Sequence, residues 1–203
     1  MPGTRTIIRM VAVCLGSLTS PLASGQSPAI DEPYRAEVPR SCGYLTEPVA
    51  AGMLRARVQA SAANEHLPTV WSQCIYSGRG VVGRNVHFTF KFMLHELTDV
   101  ATLDPARLNF NVTFAASGIP PSATLEDLGK ISFAFEKKAL TLLMVVTGIQ
   151  GPADGAGRPS ELIATYQFSD PDTPHAERLA QLVPHARRHL QEWLARARPA
   201  PGR

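Results

Sequence analysis

The sequence predicts an α+β domain: a mostly antiparallel twisted sheet of about five strands, packed by an N-terminal and a C-terminal helix. Three observations carry this. Val86, Phe88, Phe90 and Phe92 alternate with His87, Thr89 and Lys91, the period of a strand with one buried face. Leu140 to Val146 is almost wholly apolar, which suits a central strand covered on both faces. Leu179, Leu182, Val183, Ala186, Leu190, Trp193 and Leu194 recur at helical spacing and form one continuous stripe.

The chain opens with the form of a cleavable secretory signal over residues 1–25. Arg5 and Arg9 precede an apolar run from Met10 to Leu15, and Ala23-Ser24-Gly25 supplies small residues for cleavage before Gln26. The alternative is a retained anchor, but Gly16, Ser17, Ser20 and Pro21 leave the run too short for ~30 Å of hydrocarbon. Val13 is too bulky for lipid attachment at Cys14, and no later stretch reads as a transmembrane segment. Residues 26–40, with Pro28, Pro33 and Pro39, are expected to be a flexible tether. A single α+β domain over 41–198 and a disordered tail over 199–203 follow.

Within the domain, Thr46 precedes Glu47 and Pro48 as an N-cap before an acid and a first-turn proline. Val49, Met53, Leu54 and Val58 then predict a helix from Glu47 to Ala60. Trp71 to Ser77 reads as a strand carrying Cys74, and Ser77-Gly78-Arg79-Gly80 as a turn. Leu108, Phe110, Val112 and Phe114 alternate like a strand, with a helix starting at Asp104-Pro105 as the alternative over 105–117. Ile131, Phe133 and Phe135, a turn at Lys137-Lys138 and the apolar run to Val146 make a hairpin. Residues 151–159 are a Gly/Pro-rich loop, and Glu161 to Phe168 a further strand. Thr173, Pro174 and Glu177 have the pattern of a capping box for the last helix. Pro184 should kink that helix without ending it, because the stripe stays in phase across it.

Charge excludes one class of partner. The leader holds two of the twenty basic residues and none of the seventeen acidic ones, so the remainder carries only +1. That balance gives no footprint for nucleic acid. Arginine outnumbers lysine and alanine is abundant, a composition typical of a high-GC bacterium. Beyond the leader only Cys42 and Cys74 remain, and in an oxidising compartment one disulfide is the simplest reading. Its loop would stabilise the fold by about 3–4 kcal/mol on a chain-entropy argument. A metal pair would need two more ligands at convincing spacing, and a reactive thiol is the other alternative.

Cys42 with Leu45-Thr46 and a helix, Cys74-Ile75-Tyr76 on a strand, and Leu128-Gly129 before a hairpin and terminal helix form a recognisable order. It resembles small secreted or lipoprotein-like bacterial domains of unknown function. The resemblance implies an envelope location and a disulfide, and brings no activity with it. Many such domains carry a lipidated cysteine at the processed terminus, from which this chain departs.

Candidate site residues are few. His185, His189 and Glu192 have spacing compatible with zinc, but Arg187 and Arg188 lie between them, so a solvated basic helix face is expected. Arg178, Arg187, Arg188, Arg196, Arg198 and Arg203 face only Glu177 and Glu192 near the C-terminus. Of these, Arg178, Arg187, Arg188 and Arg196 are the candidate face for an anionic partner, either an envelope protein or an anionic lipid surface. There is no Gly-x-Ser-x-Gly elbow, phosphate loop or dinucleotide fingerprint, and Glu126, Asp127 and Glu136 form no evident catalytic pair. No cofactor is implied. The expectation is a non-catalytic exported envelope protein that binds another protein or supports an assembly. A small-ligand or lipid carrier lined by Phe88, Phe90, Phe92, Phe110, Phe114, Phe133 and Phe135 is the alternative, and an unrecognised hydrolase the third.

Overall fold

The computed structural model describes residues 37–94, 98 and 121–197. The leader, most of the tether, the element expected at 105–117, Arg198 and Arg203 lie outside these residues. The architecture is α+β, as the sequence predicts. Helices α1 (Ser41–Tyr44), α2 (Glu47–Leu54) and α3 (His175–Ala197) accompany strands β1 (Val58–Ala60), β2 (Glu65–Leu67), β3 (Trp71–Gly78) and β4 (Asn85–Leu94). Strands β5 (Ala123–Thr124), β6 (Ile131–Lys137), β7 (Leu140–Gly151) and β8 (Ser160–Ser169) complete the set. All eight strands of the described residues join one antiparallel sheet, ordered β1-β3-β4-β8-β7-β6-β5, with β2 also paired to β3. The sheet exceeds the expected five strands because β1, β2 and β5 are only two or three residues long, too short to show alternation.

The long apolar run of β7 is explained by its place. It pairs with β6 and β8 and is covered on both faces. On one face Phe88, Phe90, Leu143, Val145, Leu162, Ala164 and Phe168 pack with Leu182, Ala186, Leu190 and Trp193 of α3. On the other, Phe133, Phe135, Leu142, Met144, Val146 and Ile163 form a second cluster with Met93. The β6–β7 turn uses Lys138 at φ 53°. Gly129, just before β6, has φ +77°, and a Cβ there would lie 2.5 Å from the carbonyl oxygen of Val146. Only glycine fits that close crossing.

Three local expectations are corrected. The helix from Glu47 stops at Leu54, because Arg55 turns left-handed at φ 48° with its N–H bonded to the Ala51 carbonyl. Val58 is buried as its apolar phase requires, but from strand β1 on the edge of β3. The end of the tether is packed: Val38 is 1% exposed and its N–H donates to the Pro68 carbonyl. The capping box of α3 does not form. The Thr173 hydroxyl donates to Asp170 at 2.7 Å instead, while Glu177 reaches Arg55 at 3.0 Å. The helix runs on through Pro184.

Cys42 in α1 and Cys74 in β3 form the expected disulfide, at a sequence separation of 32. Beside it the Ser41 N–H donates to the Ser72 hydroxyl at 2.9 Å and the Ser41 hydroxyl to the Ser72 carbonyl at 2.8 Å. A one-turn helix cannot hold itself. The double Cys42→Ser, Cys74→Ser variant is therefore expected to lose about 3–4 kcal/mol. Urea unfolding at pH 7 measures it, and a midpoint unchanged from the oxidised protein would refute the role given to the bridge.

Candidate functional site

An open groove of about 910 Å³ runs between the segment leading into α1 and the C-terminal half of α3. Its floor is Tyr44. The Tyr44 ring lies 4.5 Å from that of His189, 5.6 Å from Trp193 and 5.7 Å from Phe90, and its hydroxyl accepts from the Trp193 indole N–H at 2.8 Å. The disulfide and the serine pair hold α1 on β3, so Tyr44 is the joint between that strand and α3. Its wall is a helical stripe. Arg188, Glu192 and Arg196 follow one another at four-residue spacing, with Arg40 and Glu37 opposite.

The candidate arginines separate. Arg188 and Arg196 line the groove, and Arg187 is exposed outside it. Arg178 is withdrawn from the surface altogether, at 2% exposure. Its guanidinium donates to the Thr141 hydroxyl and the Asp170 carbonyl, each at 2.8 Å, and to the carbonyls of Thr173 and Lys138. The stripe alone misplaced it, since Arg178 sits one turn before Leu182 on the buried side.

The solvated face expected for the two histidines is also corrected. His189 is fully buried in a cage of Tyr44, Phe88, Phe90, Tyr166 and Trp193. Its Nδ1 meets the Tyr166 hydroxyl at 3.2 Å, and Arg188 approaches Nε2 at 3.5 Å. A guanidinium only donates, so this contact favours the tautomer with Nδ1–H donating to Tyr166. Burial, then the Arg188 charge, then His185 push the imidazole down to about 3. Burial likewise pushes the Tyr166 phenol up. Glu192 faces the groove, 3.9 Å from Arg188, so it does not converge with the histidines on a metal.

A serine–histidine contact that spacing did not reveal lies at the start of α3. Arg178 Nε donates to the Thr141 hydroxyl at 2.8 Å, and Thr141 meets His175 Nδ1 at 2.8 Å. His175 Nε2 lies 3.1 Å from the Ser122 hydroxyl, which donates to the Ala134 carbonyl at 3.0 Å. These bonds run in one direction. The Ser122 hydroxyl gives its one proton to the Ala134 carbonyl, so His175 Nε2 carries the ring proton and donates to that serine, while Nδ1 accepts from Thr141. A base for nucleophilic attack needs a free lone pair there. The chain therefore ties the helix to β5, β6 and β7 and leaves Ser122 unactivated.

Glu161 is another buried group the sequence hid. Its carboxylate accepts from the Gly148 N–H and the Thr98 hydroxyl, both at 2.7 Å, with Lys130 at 3.5 Å. It fastens the irregular stretch of β7 between Val146 and Gln150. Four of the phenylalanines raised as a cavity lining pack directly. Phe88 and Phe90 stand edge-on to Tyr166, and Phe133 tilts against Phe135, all four at most 5% exposed. Phe110 and Phe114 lie outside the described residues.

Fold and site together define a disulfide-stapled α+β protein with a charged groove against its C-terminal helix. Among the described residues no helix is long and apolar enough to cross a membrane. No protein-family model matches the sequence, and no curated protein matches it.

Proposed function

We propose that this chain is an exported, non-catalytic binding protein of the bacterial envelope, and that its groove holds an acidic segment of a partner protein. The observation that carries this reading is the arginine pair Arg188 and Arg196 on one stripe, with Arg40 across from it. Three guanidiniums around an aromatic floor offer bidentate carboxylate recognition, which Glu37 and Glu192 at the rim register. The Cys42–Cys74 bridge supports an oxidising compartment. Cleavage before Gln26 would put the protein there, and an intact mass from the envelope fraction tests it.

The binding reading is tested with a labelled oligoglutamate peptide and fluorescence anisotropy. The Arg188→Glu, Arg196→Glu double variant is expected to weaken binding at least tenfold. Raising salt from about 50 to 300 mM should weaken the wild type too, because exposed charges are screened within about a Debye length. Binding indifferent to both changes would sink the reading.

A further inference from the structure

The β3–β4 hairpin ends in Gly80-Val81-Val82-Gly83, and Val82 is 95% exposed, far beyond the next exposed apolar side chain among the described residues. A single exposed valine is ordinary. This one is presented on a built base. Gly80 and Gly83 take φ of +71° and +81°, closing the tip tightly. Below it the Gly78 N–H donates to the Arg84 carbonyl at 3.0 Å, and the Ser169 hydroxyl to the Gly83 carbonyl at 2.9 Å. Arg84 itself is spent on Asp170 and Asp172, at 3.0 and 2.6 Å. The tip is thus held outward where a polar turn would have served.

Beside the tip lies a cationic collar. Arg55, Arg57 and Arg79 surround a hollow of about 590 Å³ with Glu47 as its one acid. The Arg79 N–H donates to the Arg57 carbonyl at 2.8 Å, which fixes the two positions together. Arg55 is partly neutralised by Glu177, whereas Arg57 and Arg79 have no ion pair among the described residues. This collar lies by the first turn of α3, whereas the groove lies along its C-terminal half.

We propose that the Val81–Val82 tip and the Arg57–Arg79 collar seat the protein on an anionic lipid surface, the valine entering the headgroup boundary while the arginines meet phosphates. Charge and shape favour lipid over a protein partner. A convex tip that exposes one valine, with Val81 half-buried behind it, has little surface to bury against a flat protein, but it needs no preformed pocket in a bilayer. Basic side chains next to an inserted apolar group add attraction to anionic headgroups.

Sedimentation with phosphatidylglycerol/phosphatidylcholine vesicles tests this on the oxidised protein, with Val82→Asp and the Arg57→Glu, Arg79→Glu double variant. Each is expected to lower the bound fraction at least fivefold while leaving the urea midpoint unchanged, and Val82→Trp should show a blue-shifted emission on vesicles. Val82→Asp binding like the wild type, or a Val82→Trp emission that stays at its aqueous wavelength, would overturn insertion. Vesicle binding lost only in the Arg188→Glu, Arg196→Glu variant would move the contact to the groove and overturn the proposal. Peptide binding at the groove is unaffected by either result.

Discussion

Arg178→Leu is expected to lower the unfolding free energy by about 3–4 kcal/mol, the range for breaking a buried charged hydrogen-bond network. The guanidinium bonds the start of α3 to three backbone carbonyls in two separate turns. It reaches the β8–α3 turn at Asp170 and Thr173, and the β6–β7 turn at Lys138. It also orients Thr141, and through it His175. Leucine would leave these carbonyls facing an apolar group with no water to replace the donor. For a chain of this length the loss corresponds to roughly 10 °C in Tm. Arg187→Leu is the control. It removes the same charge from an exposed position and should change stability by less than about 0.5 kcal/mol. Equal midpoints for the two variants in urea at pH 7 would show that the buried network does not stabilise the fold.

Acid is expected to destabilise the protein well above the range where carboxylates protonate. His189 is held down to about 3 and His87 to about 4, both chiefly by burial. The unfolded chain takes up these protons near 6.5, but the folded one refuses them until far lower pH. Stability is therefore flat above about pH 6.5 and falls as pH drops towards 3. The slope is roughly 1.4 kcal/mol per pH unit for each proton taken up on unfolding. For His189, fully buried, the loss between pH 7 and 5 is on the order of 2 kcal/mol. Asp170 acts later. Burial would raise its carboxyl, but Thr173, the Asp172 N–H and Arg84 outweigh it and hold the group below the usual range. Its contribution disappears only as pH falls past that lowered value. His189→Phe should flatten the pH 7-to-5 slope, at some cost at pH 7 because the Tyr166 hydroxyl loses its imidazole partner. Urea unfolding at three pH values reads the slope. A His189→Phe slope equal to the wild type would assign the acid sensitivity elsewhere.

Both predictions turn on residues whose roles were invisible along the chain. The helical stripe from Leu179 to Leu194 named the buried face of α3 correctly, and Leu182, Ala186, Leu190 and Trp193 are all buried. Arg178 and His189 sit on that same face, at positions a hydrophobicity pattern treats as polar gaps. What makes them buriable is what surrounds them: unpaired turn carbonyls in one case, an aromatic cage in the other.

The sequence by itself determined the α+β class, the strands β3, β4, β6, β7 and β8 and the long terminal helix, because each is long enough for period and burial to leave a signal. The pairing of Cys42 with Cys74 was legible in the same way, with only two cysteines beyond the leader. Tertiary structure alone decided where the Glu47 helix stops and which strands share an edge. It also decided that Arg188 and Arg196, but not Arg178, meet Arg40 across a groove. The groove depends on contacts between residues more than a hundred positions apart, such as Tyr44 with Trp193, and no local period records them.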